Sequence, residues 1–76
     1  MLLSAQLLAS EEVFAVEDGV GTTIRIDSGE IRITEDGSFI DHILCGGQEY
    51  TIDRPGRAIV VAQMESRFSL HTGKFS

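Results

Sequence analysis

Six side chains in this chain have types and spacing that could do chemistry. Asp41-His-Ile-Leu-Cys-Gly-Gly-Gln-Glu-Tyr50 holds one of the two histidines and the only cysteine, and His71 is the second histidine. His42, Cys45 and Glu49 are ligand types found on zinc or iron, with His71 a candidate for a fourth. A strand, however, alternates its side chains, so His42 and Leu44 share one face while Asp41 and Ile43 share the other. Cys45 would have to curl back through Gly46-Gly47 to join His42, and no second Cys or His lies nearby in sequence. We therefore read the segment as a strand end and a turn, with an inward His42, a small apolar thiol and no metal or other cofactor. Cys45 as a nucleophile would need a lowered pKa and a neighbouring base. No nucleophile motif surrounds it, and no residue is assigned a catalytic role.

Arg25 and Arg32 are the other candidates. Thr22-Thr-Ile-Arg-Ile26 and Ile31-Arg-Ile-Thr34 both alternate with period 2 around Asp27-Ser-Gly-Glu30. A hairpin loop with an even number of residues pairs Ile26 with Ile31, Arg25 with Arg32 and Ile24 with Ile33, and puts the isoleucines inward. Two like charges directly opposite are unfavourable. Either a charge ladder offsets them, with Asp41 beside Arg32 and Glu17 or Glu65 near Arg25, or the two guanidinium forks grip a small anion.

The elements that must position these groups are short strands. Val13-Phe-Ala-Val16 reads as a strand leading into the turn Glu17–Gly21, while residues 1–12 are ambiguous, since Leu3 and Leu7 also have helical spacing. Glu35-Asp-Gly-Ser38 reads as a hairpin turn. A two-residue loop there pairs Ile33 with Ile40 and Arg32 with Asp41, and sets His42 opposite Ile31 on the inward face. Gln48 to Asp53 alternates again, with Tyr50 and Ile52 on one side. Asp53-Arg-Pro-Gly56 suits a type II turn. Ala58-Ile-Val-Val-Ala62 is apolar on both faces and should be covered on both. Arg67 to Leu70 puts Phe68 and Leu70 on one face. Strands at short, regular spacing with glycine turns between them predict a small β-sandwich or barrel.

The run Gly29-x-Ile31-x-Ile33-Thr34, then Gly37, Asp41, Leu44-x-x-Gly47, Tyr50-x-Ile52 and Ile59-Val-Val-Ala62, resembles a bacterial family of small cupin-like proteins of unknown function. The resemblance spans about residues 7–70. It implies one all-β, cupin-like domain over 1–76, a jelly-roll type sandwich or barrel of about six to eight short antiparallel strands. That family often has tryptophan where this chain has Arg32. Metal-binding cupins carry an H-x-H motif followed by a glutamate, and a further histidine after a Pro-x-Gly turn. This chain has no H-x-H, and Arg57-Ala58-Ile59 follow Pro55-Gly56.

Composition sets the remaining bounds. At 76 residues the core is thin, and partner chains often supply missing burial. A net charge of −6, with six scattered basic residues, opposes binding to nucleic acid or an anionic membrane. A lone cysteine allows no internal disulfide, and Met1–Glu12 has neither a basic n-region nor an unbroken apolar span. We expect a cytoplasmic protein. An outward Phe39 and Ile43, with the two-faced Ala58–Ala62 strand, suggest a second apolar surface that a homodimer would bury. The leading expectation is a non-enzymatic binding or assembly module. A small-anion sensor using Arg25 and Arg32, or a divergent metal- or thiol-dependent enzyme, is the alternative.

Overall fold

The computed structural model describes residues 2–72. Eight strands follow one another: β1 (Leu2–Leu8), β2 (Val13–Glu17), β3 (Thr22–Ser28), β4 (Glu30–Glu35), β5 (His42–Cys45), β6 (Glu49–Thr51), β7 (Arg57–Ala62) and β8 (Ser66–Thr72). The expected all-β class and strand number hold. The segment before residue 13, open between helix and strand in sequence, is strand over Leu2–Leu8.

The strands form two open antiparallel sheets, ordered β1-β8-β3-β6 (sheet A) and β2-β7-β4-β5 (sheet B). Only the connection from β4 to β5 stays within one sheet; every other connection crosses between them. The inward sets are those the period-2 patterns select. Ile24, Ile26, Phe68 and Leu70 from sheet A meet Ile31, Ile33, Leu44, Ala58, Val60 and Ala62 from sheet B, with Ile52 beside them. Phe14 sits edge-on to Phe68, ring centroids 5.8 Å apart. Fully burying one such side chain contributes about 1.5–3 kcal/mol.

One expected pairing does not form. β3 and β4 are not a hairpin: β3 is flanked by β6 and β8, and β4 by β5 and β7. Both Ile-Arg-Ile triplets still aim their isoleucines inward, but from opposite sheets. The alternation specifies a face, not a partner, and the chain turns a corner where a hairpin was expected. Gly29 makes that corner at φ +91°. A Cβ there would lie 2.5 Å from the Glu65 carbonyl oxygen and 2.7 Å from Ser66 Cα, and would also collide with Ser66 Oγ. The fully buried Ser66 hydroxyl accepts from Glu30 N–H at 3.0 Å and lies 2.7 Å from the Met64 carbonyl oxygen. It thereby ties the β3–β4 corner to the β7–β8 corner.

The β4–β5 connection is also longer than the two-residue loop expected. Ser38 N–H bonds the Glu35 carbonyl, and Ser38–Asp41 then runs on before β5 begins. Ile33 faces His42, Arg32 faces Ile43 and Ile31 faces Leu44. The register is shifted by two residues from the expected one, so His42 keeps its inward face while Ile40 falls in the loop, exposed. After β6, Gly56 has φ +96°, the positive value that a type II turn asks of it.

Candidate functional site

The four candidate metal ligands are not brought together. His42 points between the sheets, while Cys45, three residues on along β5, is exposed on the outside of sheet B. Its thiol lies 3.7 Å from Glu30 Oε1, with the His42 ring on the other face of the strand. Glu49 and His71 lie on the outside of sheet A: Glu49 is opposite Arg25, and His71 is opposite Thr23 with its ring 2.8 Å from Ser69 Oγ. Among the described residues no group of three or more His, Cys, Asp or Glu side chains is placed to share a metal ion.

Arg25 and Arg32 are also apart. With Ile24 and Ile26 buried on sheet A, and Ile31 and Ile33 on sheet B, the two guanidiniums leave from opposite outer faces of the molecule. Arg25 stands between Ser69 and Glu49; Arg32 stands between Val61 and Ile43. The like-charge pair therefore does not exist, and neither does the expected ladder. Asp41 takes a hydrogen bond from the Thr34 hydroxyl at 3.0 Å, and Glu17 pairs with Arg57 at 2.6 Å.

Two features stand out that the sequence reading did not assign. One is an inward polar cluster near the β4–β5 loop. Tyr50, on β6 of sheet A, donates its hydroxyl to Glu35 Oε1 on β4 of sheet B, so one hydrogen bond ties the sheets together. The His42 ring stacks on Tyr50, centroids 4.2 Å apart with planes at 26°. Glu35 is only 3% exposed, and its Oε2 is buried with no partner among the described residues. The Tyr50 phenol is pushed well above its usual value, first by burial, then by the hydrogen bond and charge of Glu35, then by Asp53. A phenol held protonated in this way donates to Glu35, and that hydrogen bond fastens the two sheets. The signal was present in the sequence: extending Ile31, Ile33 by two more residues lands on Glu35.

The second feature is the outside of sheet B. Val13, Val61, Arg32 and Ile43 form one continuous row across all four strands, and Ala15, Ile59 and Thr34 form the next. Val13 and Ile43, at the two ends of the first row, are 60% and 58% exposed. Phe39 and Ile40, in the loop before β5, are exposed as well. The strand Ala58–Ala62 is thus covered on its inner side only, with Ile59 and Val61 half-buried on the outer one.

Comparisons with protein-family models, with curated proteins and with solved structures find no match to this chain. No helix among the described residues is long and apolar enough to cross a membrane.

Proposed function

We propose that this chain is a small, non-enzymatic, cupin-like binding and assembly module of the jelly-roll type, working through its exterior. Support for the roll comes from nesting. β1 pairs with β8, β2 with β7, β3 with β6 and β4 with β5. That is the order produced when one long antiparallel ribbon curls on itself, as in double-sheet jelly rolls. The histidine, glutamate and cysteine side chains that a metal or thiol mechanism would recruit are spread over three different surfaces. Fold likeness by itself assigns no activity.

The observation that carries the reading is the apolar row Val13–Val61–Arg32–Ile43. Large apolar side chains left outside a thin core mark a contact surface. The molecule measures 28 × 26 × 17 Å between Cα atoms, so its broad face is on the scale of the roughly 800 Å² that each partner buries in a standard interface. The occupant is a second copy of this chain. Its row is equally apolar, and within that row Arg32 is the only charged side chain, half-buried between Val61 and Ile43. Aliphatic stems of arginine are readily buried against such neighbours. Ile43→Asp tests this, because a carboxylate at that position must be desolvated in the contact and stays in water in the free chain. The expected result by light scattering is a species of lower mass than the parent, with the thermal transition of the single chain little changed. An Ile43→Asp variant that assembles like the parent sinks the reading.

A further inference from the structure

Each sheet has two edges, and they are not alike. β6 has three residues and includes Glu49; β5 has four residues; β2 has five and ends on Glu17. β1 has seven residues, Leu-Leu-Ser-Ala-Gln-Leu-Leu, with no charged side chain and no proline. It bonds to β8 along one side, and among the described residues its other side meets no strand. Long uncharged edges present unpaired N–H and C=O groups to any other strand, and proteins ordinarily blunt them with charge, proline or shortness. Here only one irregularity, between Leu2 and Ser4, interrupts the edge.

The β1 sequence also reads nearly the same in both directions about Ala5. Antiparallel pairing of two copies on a two-fold axis at Ala5 sets Ala5 against the partner's Ala5 and Ser4 against the partner's Gln6, and brings Leu7 beside the partner's Leu3, the residue that the bulge leaves without a partner on β8. Ala5 and Leu7 lie on the outside of sheet A, opposite Ser69 and Arg67. Leu7 and Leu3 are both more than half exposed in the single chain. Beside Leu7 there is an open cleft of about 210 Å³, lined by Ala5, Leu7, Asp27 and Arg67 among others. Apolar pairs directly opposite on a sheet are stabilising, and a self-complementary strand is what a two-fold contact needs. With a net charge of −6, two copies approach most easily where neither carries charge.

We propose that two copies of this chain join edge to edge through β1, making one continuous eight-stranded sheet from their two A sheets. This is a second contact, independent of the sheet B exterior but sharing the reading that the chain acts by assembly. The edge axis stands normal to the sheets, so both B exteriors of such a pair face the same way. A face-to-face axis lies in the plane of the sheets, perpendicular to the first. Two perpendicular two-fold axes that meet close into four chains and not into an open fibre.

Ala5→Lys tests the edge. It reduces the magnitude of the overall negative charge, so any lost assembly comes from the two like charges it places at the axis. Ala5 is exposed, and the single chain keeps its thermal transition. Light scattering of the full chain is expected to give four chains for the parent, two for Ala5→Lys, and four again for the neutral control Ala5→Ser. The register is tested by Leu3→Glu with Leu7→Lys in one chain, which sets opposite charges across the axis twice and is expected to keep the edge contact. An Ala5→Lys variant with the parent's mass overturns the edge proposal. If Ile43→Asp lowers the mass of that same protein, the sheet B reading survives on its own. A parent of two chains that Ala5→Lys separates, and Ile43→Asp does not, supports the edge and overturns the sheet B reading. A parent that is a single chain throughout overturns both.

Discussion

The two sheets share one interior and present opposite exteriors. Inside, isoleucines from β3 and β4 interlock with Val60 and Phe68 and leave no exposed surface on either pair. Outside sheet A the rows over β8, β3 and β6 are polar, with apolar residues only on the β1 edge. Ser69, Arg25 and Glu49 stand side by side, then His71, Thr23 and Thr51, with hydroxyl contacts of 2.8 Å between Thr23 and Thr51 and a 2.8 Å contact from Ser69 to His71. Outside sheet B the corresponding rows are Val13–Val61–Arg32–Ile43 and Ala15–Ile59–Thr34. Folding demands the same of both sheets, namely one buried face. On sheet A the exposed apolar side chains, Leu3 and Leu7, are confined to the β1 edge, whereas on sheet B they run in a row across all four strands.

The largest expected effect comes from breaking the joint that makes the two sheets face each other. Gly29→Ala adds a Cβ into the Glu65 carbonyl and Ser66 Cα in a region of φ that L residues avoid. The neighbour is backbone held by the Ser66 hydroxyl, so it cannot move aside cheaply. We expect a loss of about 4 kcal/mol or more, a large share of the roughly 5–15 kcal/mol that holds a domain together. Chemical denaturation is the measurement. A midpoint close to the parent's would show that the corner is not fixed as described.

Next in size is the polar tie across the interior. Tyr50→Phe removes the donor to Glu35 Oε1 and leaves both oxygens of a buried carboxyl without that hydrogen bond, at a cost of about 1–3 kcal/mol at neutral pH. The sign with pH is also determined. The phenol of the unfolded chain ionises near 10, while in the folded protein burial and Glu35 hold the proton to higher pH. Above that point the folded state binds more protons than the unfolded state, so stability falls as pH rises. The parent is expected to lose stability steeply on the alkaline side, and Tyr50→Phe to lose less. The chain has a single tyrosine and no tryptophan, so phenolate absorbance reads this group directly. Ionisation at the ordinary value in the folded protein would remove the tie from the account.

These cases also show what the amino-acid pattern carries and what it does not. Alternation in Thr22–Ile26, Ile31–Thr34 and Arg67–Leu70 named the inward residues correctly, because burial on one face constrains every second position. It could not name the neighbours. An even loop over Asp27–Glu30 satisfies the same faces whether it closes a hairpin or turns a corner, and the choice lies in contacts with Glu65 and Ser66, far along the chain. The separation of Arg25 from Arg32 follows from that one ambiguity. The dispersal of His42, Cys45, Glu49 and His71 was partly legible, since three residues along a strand reverse the face. Glu35 was missed because it was read as the start of a turn, although it completes the inward series of β4.

The smallest expected effects bear directly on the two exteriors. On sheet A, the Thr51 hydroxyl sits 2.8 Å from that of Thr23, which is only 2% exposed. Replacing Thr51 with Val keeps the branched shape and removes one hydrogen bond of a covered side chain. A loss of about 1 kcal/mol is expected. On sheet B, Val13 is exposed on the edge strand β2, and Val13→Thr keeps the branched shape and adds a hydroxyl free to reach water. Stability of the single chain should move by less than about 0.5 kcal/mol. The two substitutions are chemical opposites at comparable outer positions, so their difference isolates how each exterior is built. Measured on the Ile43→Asp background, where sheet B contacts are disrupted, the hydroxyl on sheet A should matter and the methyl on sheet B should not. Equal losses at both positions would mean that Val13 is part of the single chain's own core, and the apolar row would cease to be evidence for a partner.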